Sequence, residues 1–167
     1  MAIKEIGVSD LNNFDVFKAV GKDWMLITAG NDSGINTMTA SWGGFGVLWN
    51  KNVSYIFVRP QRQTFKFLEN SEYYSLSFFS DENKKILNYC GTHSGKDVDK
   101  ISKTGLTVIQ GEAPYFEEAK LTFLCKKLYS DFINPKSFAV PDLLSNYKEN
   151  DYHKMYIGEI TKCLIKE

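Results

Sequence analysis

Apolar residues recur along this chain in short runs bounded by Gly, Pro, Asn and Asp, and most runs carry the two-residue period of strands. Residues 24–30 (WMLITAG) and 52–58 (NVSYIFV) are apolar on nearly both faces, as strands covered on both sides are. Between them, 31–34 (NDSG) is a strong turn signal, so WMLITA and the following NTMTASWG are predicted as arms of a hairpin or close neighbours in a sheet. Residues 73–79 (YYSLSFF), 106–110 (LTVIQ), 120–130 and 154–165 add strands, the last two alternating over long stretches.

Helical spacing is confined to brief segments. Phe14, Phe17 and Val20 predict a helix that ends at Gly21. Thr64 is expected to cap a short helix with Phe65 and Leu68 on one face, and Ser80 to cap another that stops at Gly91. A helical turn is predicted around Asp97 to Lys103, and residues 134–151 read as a loop or small helical excursion. Six or seven strands with a few short helices predict a mainly β fold, an antiparallel barrel with helical trimmings, and not alternating βαβ units. No repeat, low-complexity tract or charge block divides the sequence, so residues 1–167 are expected to form a single domain.

Charge narrows the function. The 20 basic and 20 acidic residues cancel, leaving no field to gather nucleic acid or an anionic membrane. Any phosphate must then be held by a local constellation. The 12 Phe and 9 Tyr favour strands and flat-ligand pockets over helical bundles. Cys90, Cys125 and Cys163 lack the paired spacings of a zinc site or disulfide framework, which predicts a reducing, cytoplasmic setting with no metal. The opening residues lack an apolar leader core and no run of about 18 apolar residues occurs, so a soluble protein that is not exported is expected.

Candidate chemistry concentrates in three segments. Thr37, Thr39 and Ser41 alternate in INTMTASWGG, so a strand there would present a row of hydroxyls, while Met38 and Ala40 would face the core. The plain alternative is the wet face of an ordinary strand. Arg59 and Arg62 follow the strand 52–58 at a break set by Pro60, ahead of a helix start, where arginine forks and backbone N–H groups both favour an anion. Trp42 could lie beside a flat ring, whereas Trp49 and Phe45 are expected to fill the barrel core. Ser94, Gly95, Lys96 and Lys100 form a weaker third segment, without the spacing of a nucleotide P-loop. His93 and His153 form no metal-ligand cluster, there is no nucleophilic serine elbow, and Cys90 is expected to be inert packing, the alternative being a thiol activated by the lysine loop beside it. An enzyme built this way must take its reactive group from outside.

The ordered set NTMTASWGGFGVLWNKNVSYIFVRPQRQT, YYSLSFF, CGTHSGKDVDK and YIGEI closely resembles the flavin reductase-like, FMN-binding split-barrel family that includes flavoredoxin. The likeness runs from about Phe14 to Ile165. It implies a split β-barrel homodimer holding FMN non-covalently near the subunit interface. By that pattern the cofactor-binding residues are Asn36, Thr37, Met38, Thr39, Ala40, Ser41 and Trp42 along the flavin and its phosphate, and Arg59, Pro60, Gln61, Arg62 and Thr64 on the phosphate and ribityl side. Ser94, Gly95, Lys96 and Lys100 resemble the second flavin-contacting loop. The family often carries Gly-Asp-His before its last strand; here Tyr152 separates Asp151 from His153, which leaves His153 a displaced neighbour of the flavin. By strand parity Trp42 would follow Met38 and Ala40 into the core, against the family pattern.

The resemblance implies an oxidoreductase with no catalytic side chain, since a flavin carries hydride and electron transfer itself. Three readings follow: an NAD(P)H-dependent flavin reductase, a flavoredoxin-type electron carrier reduced by a protein partner, and a non-catalytic module. No Rossmann glycine run is present to specify a nicotinamide donor.

Overall fold

Seven strands form where the apolar runs predict them, three more form at Ile3–Ile6, Gly44–Leu48 and Tyr115–Phe116 where no strand was expected, and their order in space decides what they cover. In the computed structural model, which describes residues 2–167, the strands are β1 (Ile3–Ile6), β2 (Met25–Asn31), β3 (Gly34–Ala40), β4 (Gly44–Leu48), β5 (Lys51–Val58), β6 (Tyr73–Phe78), β7 (Val108–Ile109), β8 (Tyr115–Phe116), β9 (Leu121–Phe132) and β10 (Lys154–Lys166). The helices are α1 (Val16–Lys18), α2 (Gln63–Asn70), α3 (Lys84–Thr92) and α4 (Lys100–Thr104). The fold is thus mainly β with short helices.

The main sheet is 8-stranded and antiparallel, in the order β3-β2-β6-β9-β10-β5-β4, with β1 added alongside β10. β3 and β4 are consecutive in the chain yet stand at opposite ends of this path, joined only by Ser41–Gly43. Gly43 makes that passage possible: its φ is +122°, and a Cβ there would lie 2.5 Å from the Tyr55 carbonyl oxygen.

The predicted hairpin of β2 and β3 is present, with Asn31 opposite Gly34. Its turn is held by the Asn31 side chain, which accepts from the Ser33 N–H at 2.9 Å. Alternation then sorts β2 and β3 into two environments. Met25, Ile27, Ala29, Met38 and Ala40 join Ile56, Tyr74, Leu76 and Phe123 inside the sheet's curve, where Phe14 and Phe45 also pack. Leu26 faces the other way, into a second cluster with Leu87, Cys90 and Phe116 beneath α3. Both faces of β2 are therefore apolar for a reason: one closes the barrel core and the other carries the helical cover.

Several local expectations are corrected. Phe14, Phe17 and Val20 share no helix face: the Asp15 carboxylate accepts from the Lys18 N–H and starts α1 after Phe14, the next turn widens over Ala19–Asp23, and Phe17 is 90% exposed. Thr64 does not cap α2. Arg62 holds the cap position, while Thr64 lies four residues before Leu68 on the buried face. Gly91 does not stop α3, which runs on to Thr92; a Cβ on Gly91 would press on Thr39 at 3.3 Å, so its smallness serves contact with β3. The turn predicted from Asp97 begins only at Lys100, because the Asp99 carboxylate caps it by accepting from Ser102 N–H. Trp49 is not in the core. It occupies the β4–β5 turn at φ 51° and is 57% exposed, whereas Phe45 packs as expected. LTVIQ yields only the short β7, paired with β8 outside the main sheet.

Candidate functional site

The three candidate segments converge where β3, the start of α2 and the end of α3 meet. Asn36 is the junction. Its Oδ1 accepts from the Thr64 hydroxyl at 2.8 Å, and a Cβ at Gly95 would fall 1.9 Å from its Nδ2. A larger residue at 95 would push the Asn36 amide aside, so the smallness of Gly95 lets the Ser94–Lys100 segment lie close to β3. Ser94 closes its own turn by accepting from the Lys96 N–H at 3.2 Å.

The hydroxyl row is not an open row. Thr37 is fully buried, donating to the Ile27 carbonyl at 3.2 Å and sharing a hydrogen bond with the Thr28 hydroxyl at 2.9 Å. Thr39 donates to the Leu87 carbonyl on α3. Alternation brings both to one face as predicted, but helical cover claims that face. Ser41 lies past the end of β3. Parity ends there too, which resolves the conflict over Trp42: the chain turns at Gly43, and the indole N–H donates to the Phe57 carbonyl at 3.3 Å instead of entering the core.

The two arginines part company. Arg59 pairs with Asp151 and donates to the Asn146 carbonyl at 2.9 Å, so its charge is already matched. Gln61 also donates to Asp151, at 2.6 Å. Arg62 has only the Gly91 carbonyl, 3.3 Å from both terminal nitrogens, and burial lowers its pKa. Lys100 is 4% exposed and donates to the Thr37 and Cys90 carbonyls at 2.9 and 2.8 Å. Its burial, then the nearby Arg62 charge, push its pKa down to about 8. Among the described residues neither cation forms an ion pair with a carboxylate. Burial pushes the Cys90 thiol up to about 11, which keeps it protonated and inert.

Two cavities flank this junction. One, of about 380 Å³, is lined by Met38, Thr39, Trp42, Phe57, Arg59, Gln61, Arg62, Gly91 and His153. The other, of about 530 Å³, is bordered by Asn36, Thr37, Gln63, Gly95, Lys96 and Lys100 among others. Ala40 and Thr64 are buried structural residues, Ser41 and Ser94 line neither cavity, and Pro60 lies on a separate surface hollow with Phe132. Two residues near the candidate site went unsignalled in the sequence: Phe57, which lines the smaller cavity, and Tyr147, which bonds to His153. Phe57 shows only as one apolar position in a strand, and Tyr147 lies inside the 134–151 stretch, where no periodicity marks it.

With that geometry in place, the relatives become informative. The flavin reductase like domain family matches residues 17–167. The chain belongs to this family. No curated protein matches the sequence. The fold is similar to an FMN-binding domain of flavin reductases-like enzyme from Shewanella baltica OS155, with TM-score 0.70 and 14% identity over 98% of this chain and 77% of that one. It is similar to a flavoredoxin from Methanosarcina acetivorans, with TM-score 0.69 and 22% identity over 95% of this chain and 75% of that one. A protein with a split barrel domain from Shewanella frigidimarina NCIMB 400 matches with TM-score 0.68 and 17% identity over 95% and 77% of the two chains. As a flavin reductase like domain, the chain has the split-barrel architecture that its motifs led us to expect, and the gap between β3 and β4 is where the sheet stays open.

Proposed function

We propose that this flavin reductase like domain binds FMN non-covalently beside Trp42 and Arg62 and works as an oxidoreductase, an NAD(P)H-dependent flavin reductase. The observation that carries the reading is a pair of cations drawn in from solvent, Lys100 buried and Arg62 partly buried. Arg62 and Lys100 rest on the adjacent carbonyls of Gly91 and Cys90, with no ion-paired acid on either among the described residues. Buried charges are normally paired, so such a pair favours an incoming dianion. The donor set therefore fits a phosphate monoester, and the neighbouring cavity, with Trp42 on one side and Met38 on another, fits a flat ring.

In this reading Arg62 meets the phosphate directly and Lys100 adds positive charge from behind β3. Arg59 stays with Asp151 and shapes the cavity wall instead of gripping phosphate. Thr37, Thr39 and Thr64 act indirectly, by fixing β3 against α2 and α3. When bound, FMN supplies the hydride and electron chemistry, so the protein needs only to hold it, orient it and exclude water. The exposed Val47, Trp49, Tyr129 and Phe132 would be covered in the homodimer that the family resemblance implies.

The second reading is a carrier that takes electrons from a redox protein, and the likeness to a flavoredoxin favours it. Mixing FMN-loaded protein anaerobically with NADH and then NADPH separates the two. Bleaching of the flavin absorbance by either nucleotide is expected; no bleaching by both would reject the reductase and leave the carrier. Protein that stays colourless after incubation with FMN and dialysis would reject both, leaving a flavin-free module.

A further inference from the structure

The wall of the smaller cavity opposite β3 carries a side chain with an unspent hydrogen-bonding atom. His153 is 8% exposed, lines the cavity, and has a buried Nε2 with no partner among the described residues. Its Nδ1 lies 2.8 Å from the Tyr147 hydroxyl. Trp42 and Tyr147 stand edge-on to the imidazole at 5.3 and 5.5 Å, so the ring is wedged between them. Tyr147 is held in turn: the Arg59 guanidinium sits 5.0 Å from its ring centroid, and Arg59 is fixed by Asp151 and the Asn146 carbonyl.

Chemistry orients the Tyr147–His153 bond. A phenol is a far better proton donor than a neutral imidazole N–H, and an imidazole nitrogen is a far better acceptor than a phenol oxygen. The hydroxyl therefore donates to Nδ1, and the ring's own proton sits on Nε2. Burial, with Arg59 nearby, pushes the His153 pKa down to about 4, so the ring is neutral at ordinary pH. An unpartnered neutral N–H on a ring that lines a cavity suits a carbonyl oxygen, whereas the Arg62 charge suits phosphate.

We propose that Tyr147 is a positioning residue that fixes His153 as its Nε2–H tautomer, so that Nε2 donates a hydrogen bond to a carbonyl oxygen of the flat ring bound in this cavity. The inference rests on the FMN reading, in which that oxygen is a carbonyl of the isoalloxazine ring.

Nitrogen NMR on protein carrying 15N-labelled histidine tests it directly, because the chain has only 2 histidines and His153→Gln identifies the signal. Without ligand at pH 7, the His153 signals should show the Nε2–H pattern in the wild type and a mixture of tautomers in Tyr147→Phe. Adding FMN should move the Nε2 proton. His153→Phe should weaken FMN and riboflavin alike, by about fivefold, the equivalent of one neutral hydrogen bond. His153→Gln, which keeps a side-chain N–H, should recover part of that loss. An Nδ1–H pattern in the wild type overturns the proposal, as does flavin binding that leaves the Nε2 signals unmoved. A wild type that takes up no flavin would sink the FMN reading and the ring contact with it. The tautomer pattern, read on ligand-free protein, stands or falls separately.

Discussion

A cation drawn out of water without an acid beside it is costly, and this chain holds the buried Lys100 and the partly buried Arg62 on neighbouring carbonyls. The Lys100 ammonium should lose its proton as the pH passes about 8, well below the ordinary lysine range. FMN is a dianion above about pH 7, since its second phosphate pKa is about 6. Its affinity should therefore fall as the pH rises from about 7 to 9, by at most about tenfold per pH unit for one proton. Riboflavin, which has no phosphate, should show no such fall, and Lys100→Met should flatten the FMN profile. Fluorescence titration at several pH values checks this; an FMN profile as flat as that of riboflavin would remove Lys100 from the account. The same two residues show where sequence reading ran short. Their presence near an anion site was legible, but Arg59 looked equivalent to Arg62 until Asp151, 92 positions away, claimed it.

At the scale of elements, the hairpin turn and strand alternation were legible, whereas helix caps and stops and the partners of each element were not. The NDSG turn specified the β2–β3 hairpin, because Asn31 closes it by itself. Alternation correctly placed Met38 and Ala40 in the core. It could not say that α3 would cover the other face and occupy the Thr39 hydroxyl, or that β2 would occupy the Thr37 hydroxyl. Nor could it place β1, whose existence depends on pairing Ile3–Ile6 with the far end of β10. The Ser41–Gly43 passage is the element on which Trp42 depends, so Gly43→Ala is a sharp test. Positive φ and the approach to the Tyr55 carbonyl should cost about 1–3 kcal/mol of stability, measured by denaturant unfolding. Tryptophan fluorescence should shift as Trp42 leaves the Phe57 carbonyl. Unchanged stability would show that the passage is not constrained as described.

At the scale of the molecule, the exposed apolar side chains are the unfinished surface. Trp49 and Val47 stand 57% and 71% exposed on one hairpin, and Phe132 is 47% exposed on β9. Sedimentation velocity should find a dimer, and Trp49→Glu should shift it toward monomer with little change in the unfolding of the subunit, because an exposed position carries little folding energy. A wild-type monomer would leave those side chains without the proposed cover. The central claim, that Arg62 answers the phosphate of FMN, is tested most directly by measuring the affinities of FMN and riboflavin in the wild type and in Arg62→Ala. Loss of a charge-assisted contact worth about 1.5–3 kcal/mol should weaken FMN by about 10- to 150-fold and leave riboflavin nearly unchanged. Equal weakening of both ligands would contradict it.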